Sequence, residues 1–515
     1  MKENKQNLIN YLKKSKIPII LTIIFLILAF GERLINNSFS MDTEFYINHW
    51  NATLNWSEDF DWWIGLNRWG LVAINKLLSI GPLVIFQSNF LTMCFIGIYS
   101  ILFMYLFYLY IPKSWQENYL KVQFLFPIIF ITNPIFAEQY NFINQNVGVS
   151  LGIVFCALSA LLLYYGDKEE KWKKYILNTI AIALAVFSFG VYQSMVPLYI
   201  LIIACTYFLK CLKEKNSCWK FLGNRIVKFI IICLLYLIVS KIIGGENSYL
   251  QMGWTTYGLG SVKIIYKVML SVLRSDTIFY NISYILAIII IVGINIYLLW
   301  KKKNNLGIIL SSIGLLLAPF YIIIITGIDQ LKRTQFNYSF VIGFIILIGC
   351  LLLLNHKKVK YLGYIIVILA IGIAYQQSVI TGRLFYSDSV RFASDTTLAN
   401  KIQTTIESKD WYNKEEDYTL VIVGQKPCTA VNFYEKGEVI GYSFFEFDYE
   451  YIYGPSQRAN AFMKTLGYDY QEPTQEQFDQ AKEYVKEHDT ESFPKEDSII
   501  EMDDNVIVVR LSEEI

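Results

Sequence analysis

The residues of this 515-residue chain that could do chemistry stand at the ends of long apolar runs. Asp42 and Glu44 follow the first run, Asp61 and Arg68 precede the second, Glu138 closes the third, and Asp329, Lys332 and Arg333 join the ninth to the tenth. Charge beside a membrane-spanning segment is costly, which makes these residues functional candidates before any others. Their types divide the labour: a carboxylate can take a proton from an attacking hydroxyl, and Arg or Lys can hold a departing phosphate. Moving a glycosyl group off a lipid phosphate needs both, because the acceptor oxygen is a weak nucleophile and the leaving phosphate gathers charge. Asp42 or Glu44 is then the base, weighed against a solvated loop acid. Arg333 meets the phosphate, weighed against ordinary headgroup snorkelling.

Two short stretches add to this set. In Asn133-Pro134-Ile135-Phe136-Ala137-Glu138-Gln139, Pro134 ends a run and suffices for a turn, whereas a turn does not require Glu138. Its alternative role is a structural bond to neighbouring backbone. Between the fifth and sixth runs, Ser188 to Ser194 is too short for an excursion, so Tyr192 and Gln193 stand at the membrane surface, where phenol and amide groups suit sugar hydroxyls or helix capping. The first loop places Trp50, Trp56, Trp62 and Trp63 among Glu58, Asp59 and other acids. That mixture suits an amphipathic helix at headgroup level. His49, His356 and His488 form no ligand-spaced cluster, so no metal site is expected. No phosphate-binding loop of the ATPase type occurs either. With no cytoplasmic soluble domain to use a nucleotide sugar, a lipid-linked donor is favoured and no further cofactor is expected.

The elements that position these groups follow from hydropathy. Hydrophobic residues make up 54% of the chain, above the roughly 45–50% of soluble proteins. They concentrate in eleven expected spans: 17–35, 84–110, 120–136, 146–165, 175–191, 193–210, 226–243, 278–299, 306–326, 335–354 and 361–378. Each approaches the ~20 residues that cross a bilayer. The stretch 69–83 is apolar but interrupted, and is placed in the interface. Bases gather in alternate loops, at Lys2 to Lys16, Lys168 to Lys174, Lys210 to Arg225, Lys301 to Lys303, and Lys357 to Lys360. By the positive-inside bias the N-terminus is cytoplasmic and the chain end extracytoplasmic.

Residues 1–378 thus form a membrane domain and 379–515 a soluble one. The soluble part carries 13 Lys+Arg against 27 Asp+Glu, leaving 32 against 16 in the rest. This distribution excludes a nucleic-acid binder, which would show a basic soluble domain. In the tail, 389–408 reads as a polar helix and 418–424 as a buried strand. Thr474 and Gln477 form a capping box, and 498–502 with 505–511 form a hairpin. Of eight cysteines only Cys428 lies in the tail, without a local partner for a disulfide. The wealth of Lys, Ile and Asn points to a bacterial source, and hence to the plasma membrane.

In order and spacing, Asp42, the Gly65-Leu66-Asn67-Arg68-Trp69-Gly70 stretch, Asn133 to Glu138, and Tyr192-Gln193-Ser194 resemble the bacterial membrane glucosyltransferases that include phage-encoded, O-antigen-modifying serotype-conversion enzymes. The span pattern and the Asp395-bearing helix extend the likeness over nearly the whole chain. The resemblance implies a GT-C-like fold of about 11 transmembrane helices with a small C-terminal α/β domain. It further implies transfer of a sugar, typically glucose, from a polyprenyl phosphate to an extracytoplasmic cell-envelope polysaccharide, by inverting displacement with a first-loop acid as base. A polyprenyl-phosphate glycosyltransferase and a flippase would act alongside. Asp42-Thr43-Glu44 stands where the family often has paired acids, and Asn67-Arg68 where it often has Gly-Arg. The rival class is a transporter or flippase of lipid-linked sugars, which would show mid-span charges and an internal repeat. A non-enzymatic envelope scaffold would leave the clustered charges unexplained.

Overall fold

The computed structural model describes residues 2–52, 61–78, 84–244, 253–301, 305–429, 434–502 and 505–514. Trp56, Glu58 and Asp59 lie outside the described residues, as do the side chains of His49, Trp50 and Asp61. Ten helices among the described residues are long and apolar enough to cross a membrane: Lys16–Ile35, Ile85–Tyr110, Ile143–Gly166, Trp172–Val191, Met195–Glu214, Trp219–Ile243, Ser283–Trp300, Leu306–Thr326, Asn337–Leu354 and Lys360–Glu407. Each overlaps one expected span. Asn337–Leu354 is central, with Phe340 packed edge-on against Phe103, Phe126 and Phe130. Trp219–Ile243 is peripheral and exposes Ile226, Leu234 and Leu237. Such apolar exposure fits a lipid-facing helix, so the protein is a mostly helical, multi-pass membrane protein.

The expected span 120–136 is not one helix. It divides into Gln116–Val122, Leu125–Ile131 and Pro134–Asn141. Asn133 accepts the Ile135 N–H at 3.0 Å through its side chain, and Pro134 occupies the first helical position, so a new helix starts where Pro134 was expected to end the run in a turn. Long-range bonds hold the break together. Thr132 donates to Gln377 Oε1 at 2.9 Å, and the Thr132 carbonyl accepts from Thr381 at 2.9 Å. Interrupted backbone at membrane depth is tolerated where protein groups satisfy it in this way.

Lys360–Glu407 is one helix of 48 residues, about 72 Å at 1.5 Å per residue. That is more than twice the ~30 Å hydrocarbon core. The boundary expected at 378/379 therefore lies inside a single rod that carries the last span into the tail. The interrupted stretch 69–83 begins as a packed helix, Trp69–Leu78, with residues 79–83 outside the described set. Gly70 lies against the backbone of Phe187 and Gly190, where a Cβ would come within 2.8 Å of either.

The tail holds a three-stranded sheet in the order β1-β3-β2, with β1 Thr419–Val423 parallel to β3 Val506–Arg510, and β2 Ile499–Met502 antiparallel to it. Thr474 and Gln477 make the expected capping box at the start of helix Gln475–Glu487. Side-chain alternation along a strand sends successive residues to opposite faces. Val421, Val423, Val506 and Val508 pack on Phe478, Ala481 and Val485. Leu420, Ile422, Ile507 and Val509 share a core with Ile402 and Ile406 of the long helix and with Phe39, Met41 and Ile47 of the first loop. The apolar face that folds the tail therefore also docks it on the helix ends, hereafter the tail side.

Candidate active site

The first loop turns at Asp42, whose φ of 71° is left-handed, and enters helix Thr43–Ala52 one residue later. Asp is among the few residues that tolerate this region. The turn aims two carboxylates at one guanidinium. Arg458 Nη1 lies 2.5 Å from Glu44 Oε1 and 3.2 Å from Asp42 Oδ1, and Nη2 lies 3.3 Å from the same Asp42 oxygen. The Asp42 side chain is 57% exposed, whereas that of Glu44 is 0% exposed. Burial pushes the Glu44 carboxyl from 4.5 up to about 7, against the pull of Arg458 and with Asp42 adding to the rise. Asp448, beside the same pair, is also raised, first by burial.

Arg458 comes from the tail. Helix Pro455–Thr465 begins after Gly454 with Pro455 at its first position, and Ser456 Oγ accepts the Ile422 N–H at 2.9 Å and donates to the Ile422 carbonyl at 2.8 Å. Those bonds fasten the helix to β1. Asn48 of the first loop donates to the Ala461 carbonyl at 2.8 Å, fastening the same helix to the loop. The guanidinium sits between the rings of Phe45 and Phe447, at 5.4 and 5.6 Å from their centroids.

Glu138, Lys332 and Arg333 meet around a second piece of tail. Glu138 is fully buried and accepts the backbone N–H of Glu438 at 2.5 Å and of Val439 at 3.2 Å. A Cβ on Gly437 would collide with the Glu138 carboxylate, so this approach requires glycine. The Glu438 carboxylate in turn accepts from the Lys332 N–H at 2.8 Å and the Arg333 N–H at 3.5 Å. The Lys332 ammonium pairs with Asp329 at 3.0 Å, and the Arg333 guanidinium lies 4.7 Å from the Phe142 ring centroid. Burial, reinforced by Glu438, pushes Glu138 up to about 7. Its partner is backbone, as in the structural alternative, but backbone that is 300 residues away in sequence.

Arg68, Tyr192 and Gln193 form a third group. Arg68 Nε donates to Gln193 Oε1 and Nη1 to Gln145 Oε1, both at 3.4 Å, and the guanidinium lies 4.7 Å from the Tyr192 ring centroid and 5.2 Å from that of Trp63. Gln193 also donates to the Leu66 carbonyl. Tyr192 follows Val191 at the end of its helix, where its backbone N–H bonds the Ser188 carbonyl while its ring faces Arg68. Asp61 opens the short helix Asp61–Gly65.

One segment joins the second and third groups and reaches the first loop at Ser40. Along 138–146, Glu138 binds the tail, the Asn141 carbonyl accepts from Ser40 at 3.0 Å, Phe142 lies beneath Arg333, and Gln145 accepts from Arg68. On it, Gln139, Asn141 and Asn144 carry buried side-chain amide atoms with no hydrogen-bond partner among the described residues. Buried amides in native proteins are normally bonded, and these exceptions mark places where a polar ligand or water would be satisfied.

Sequence reasoning missed a further set of buried charges, of which it named only Asp395, for the helix that bears it. Arg391 on the long helix donates to Asp388 at 2.8 Å and to the Phe39 carbonyl at 2.6 Å, and lies 3.5 Å from Asp395. Asp395 accepts from Ser443 Oγ at 2.6 Å and from the Phe444 N–H at 3.0 Å. Arg33 pairs with Asp388 at 3.8 Å and donates to the Asn141 carbonyl at 3.0 Å. The spacing Asp388, Arg391, Asp395 was a readable signal, since residues three and four apart face one another on a helix. Arg458 had no such signal.

The three groups built around Arg458, Glu138 and Arg68 belong to helix ends and loops of a multi-pass membrane protein, and two of them are completed by the tail. The family model described as Glucosyl transferase GtrII matches residues 31–350. The chain belongs to that family and is a glucosyltransferase by membership. The match includes Asp42, Glu44, Asp61, Arg68, Glu138, Tyr192, Gln193, Lys332 and Arg333, and stops before Asp388, Arg391, Asp395, Glu438 and Arg458. It is thus shorter than the near-whole-chain likeness expected. No curated protein and no solved structure matches the chain.

Proposed function

We propose that the protein moves a sugar, glucose in the simplest case, from a polyprenyl-phosphate donor to a cell-envelope polysaccharide outside the bacterial plasma membrane. In this reading the fold is GT-C-like, residues 1–378 are catalytic and 379–515 support them. The N-terminus is cytoplasmic and the tail side extracytoplasmic, as the lysine-rich alternate loops favour. The observation that carries the proposal is the Asp42 carboxylate, more than half exposed on the tail side and oriented by a guanidinium. A base must reach the proton it abstracts, and this favours Asp42 over the sealed Glu44.

The acceptor hydroxyl would attack the anomeric carbon while Asp42 takes its proton. The new carbon–oxygen bond forms as the bond to phosphate oxygen breaks, and polyprenyl phosphate leaves with that electron pair, giving inversion. Arg68, Lys332 and Arg333 are the cations available to the departing phosphate. Tyr192, Gln193, Asp61 and Glu138 remain candidates for the sugar side. The donor carries its own activated bond, so no cofactor is needed. An enzyme that loads the polyprenyl phosphate and a flippase that turns it over would supply the substrate.

The test is transfer of labelled glucose by the purified protein in lipid nanodiscs, from polyprenyl-phosphate glucose to cell-wall polysaccharide. Asp42→Asn should lower kcat by roughly 10²-fold or more. Full activity in that variant would remove Asp42 as base. Movement of the intact donor across the bilayer without transfer would replace the enzyme by a flippase.

A further inference from the structure

We infer that Arg458 is the positioning residue for the Asp42 base, so that the reaction centre is complete only when the tail is docked on the first loop. The inference rests on the proposed glycosyl transfer and gives the tail a part in it. Three observations carry it.

The first is the form of the contact. Both Nη1 and Nη2 of Arg458 converge on Asp42 Oδ1, at 3.2 and 3.3 Å, and no hydrogen bond to Oδ2 occurs among the described residues. A symmetrical fork would occupy both oxygens of a carboxylate. Here one oxygen is held and the other is left for the acceptor hydroxyl. The second is that Asp42 adopts its left-handed φ of 71° next to a helix start, a conformation that is costly for a non-glycine residue. The bond to Arg458 helps to offset that cost. The third is the fixing of Arg458 itself, which is only 7% exposed, ringed by Phe45 and Phe447, and carried on a helix bonded at Ser456 to β1 and at Ala461 to Asn48. A guanidinium held on so many sides transmits its position to whatever it binds.

The electrostatics agree. The charged groups that face Arg458 are Asp42 and Glu44 from the first loop and Asp448 from the tail. Its charge lowers the carboxyls of Glu44 and Asp448 against the larger effect of burial, which raises them. Without it, Glu44 and Asp448 would lose the cation that opposes the effect of burial and would hold protons to higher pH. Activity that needs these neighbouring carboxylates charged would then fall away at higher pH, so the acid limb of the pH–rate profile should move upward.

The experiment compares wild type, Arg458→Ala, Arg458→Lys and Asp42→Asn in nanodiscs, reading kcat and KM for the polyprenyl-phosphate donor across pH, with limited proteolysis to report tail docking. Arg458→Ala should lower kcat about tenfold or more, leave KM within about twofold, and shift the acid limb upward, all with the tail still protected. Arg458→Lys should recover the pH profile. An Arg458→Ala enzyme with wild-type kcat and pH profile overturns the inference while leaving the glycosyl-transfer reading intact, provided Asp42→Asn is impaired. Loss of activity with an unshifted profile and a cleaved tail also overturns it, since Arg458 would then only hold the domain.

Should wild type transfer no sugar from any polyprenyl donor, the functional reading fails first. Infrared titration of the carboxyl bands, assigned with Asp42→Asn, then decides on Arg458 without turnover. A shifted Asp42 band in Arg458→Ala supports the coupling, and an unmoved band refutes it.

Discussion

Arg391 and Arg458 each tie the first loop to what lies beyond the last span, and each is a guanidinium bonded to two carboxylates, although Arg391 reaches the loop through the Phe39 carbonyl. The Arg391 set is closed. Its side chain is 1% exposed, as is that of Asp388, and Asp395 is 2% exposed. Asp395 has both oxygens bonded, to Ser443 and to the Phe444 N–H. The Arg458 set is open on one side, through the exposed carboxylate of Asp42. Similar groups therefore serve different ends. A sealed network can only hold elements in place, whereas a network that keeps one oxygen in solvent can exchange a proton with a substrate. Their positions in sequence differ too. Arg391 pairs with acids three and four residues away on its own helix, whereas Arg458 reaches Asp42 across 416 residues.

The largest expected effect breaks the sealed set. Arg391→Ala would leave Asp388 and Asp395 buried without their cation, a change that typically costs about 3–5 kcal/mol. The expected outcome is a large fall in melting temperature and ready proteolysis of the tail. A stable Arg391→Ala protein would show that the apolar core around Phe39, Phe444 and Phe462 docks the tail unaided. The next effect falls on the open set. Asp42→Asn keeps the shape and removes the base, so transfer should fall roughly 10²-fold, or about 2.7 kcal/mol in the barrier, with little change in melting temperature. Were the two variants to show the same pattern of losses, the distinction between a holding set and a reacting set would collapse.

A smaller effect appears in pH. Burial lifts Glu138 from 4.5 to about 7, with Glu438 adding to the rise, and Glu44 is lifted similarly. Between those values the unfolded chain gives up protons that the folded chain keeps. Stability therefore falls as pH rises from about 4.5 to about 7 and levels off above. Glu138→Gln should remove part of that slope, and adding Glu44→Gln should remove more. A slope unchanged in the double variant would place the titration elsewhere.

What was legible in the sequence follows from how far each signal reaches. Ten spans were legible because a helix long enough to cross the bilayer shows in a local average of hydropathy. The same average conceals the division between Val122 and Leu125, and the stop legible at Pro134 is a helix start, where a side-chain cap and a missing N–H decide the outcome. It also divides Lys360–Glu407 in two, since hydropathy changes along a helix that remains continuous. Thr474 and Gln477, three residues apart, were legible as a capping box. Asp42 and Glu44 were legible as candidates because charge at a span end is costly, but their partner was not. Nothing local to Arg458 distinguishes it from other tail bases, and its role follows from a fold that brings β1, helix Pro455–Thr465 and the first loop together.

The smallest effect sharpens the comparison by touching neither set. Thr474 accepts the Gln477 N–H at 3.2 Å, and Gln477 Oε1 accepts the Thr474 N–H at 2.9 Å, on an exposed helix end beyond the far face of the sheet. Thr474→Ala removes both bonds of the hydroxyl to Gln477 and should cost about 1 kcal/mol of local stability. Phe478, Ala481 and Val485 still hold that helix to Val421, Val506 and Val508, so the opposite face and its docked loop should be undisturbed. Transfer and its pH profile should therefore match wild type while amide exchange in Gln475–Glu487 quickens. If Thr474→Ala instead lowered kcat as Arg458→Ala is expected to, the tail would be acting through its overall stability, and the specific contact between Arg458 and Asp42 would lose its claim.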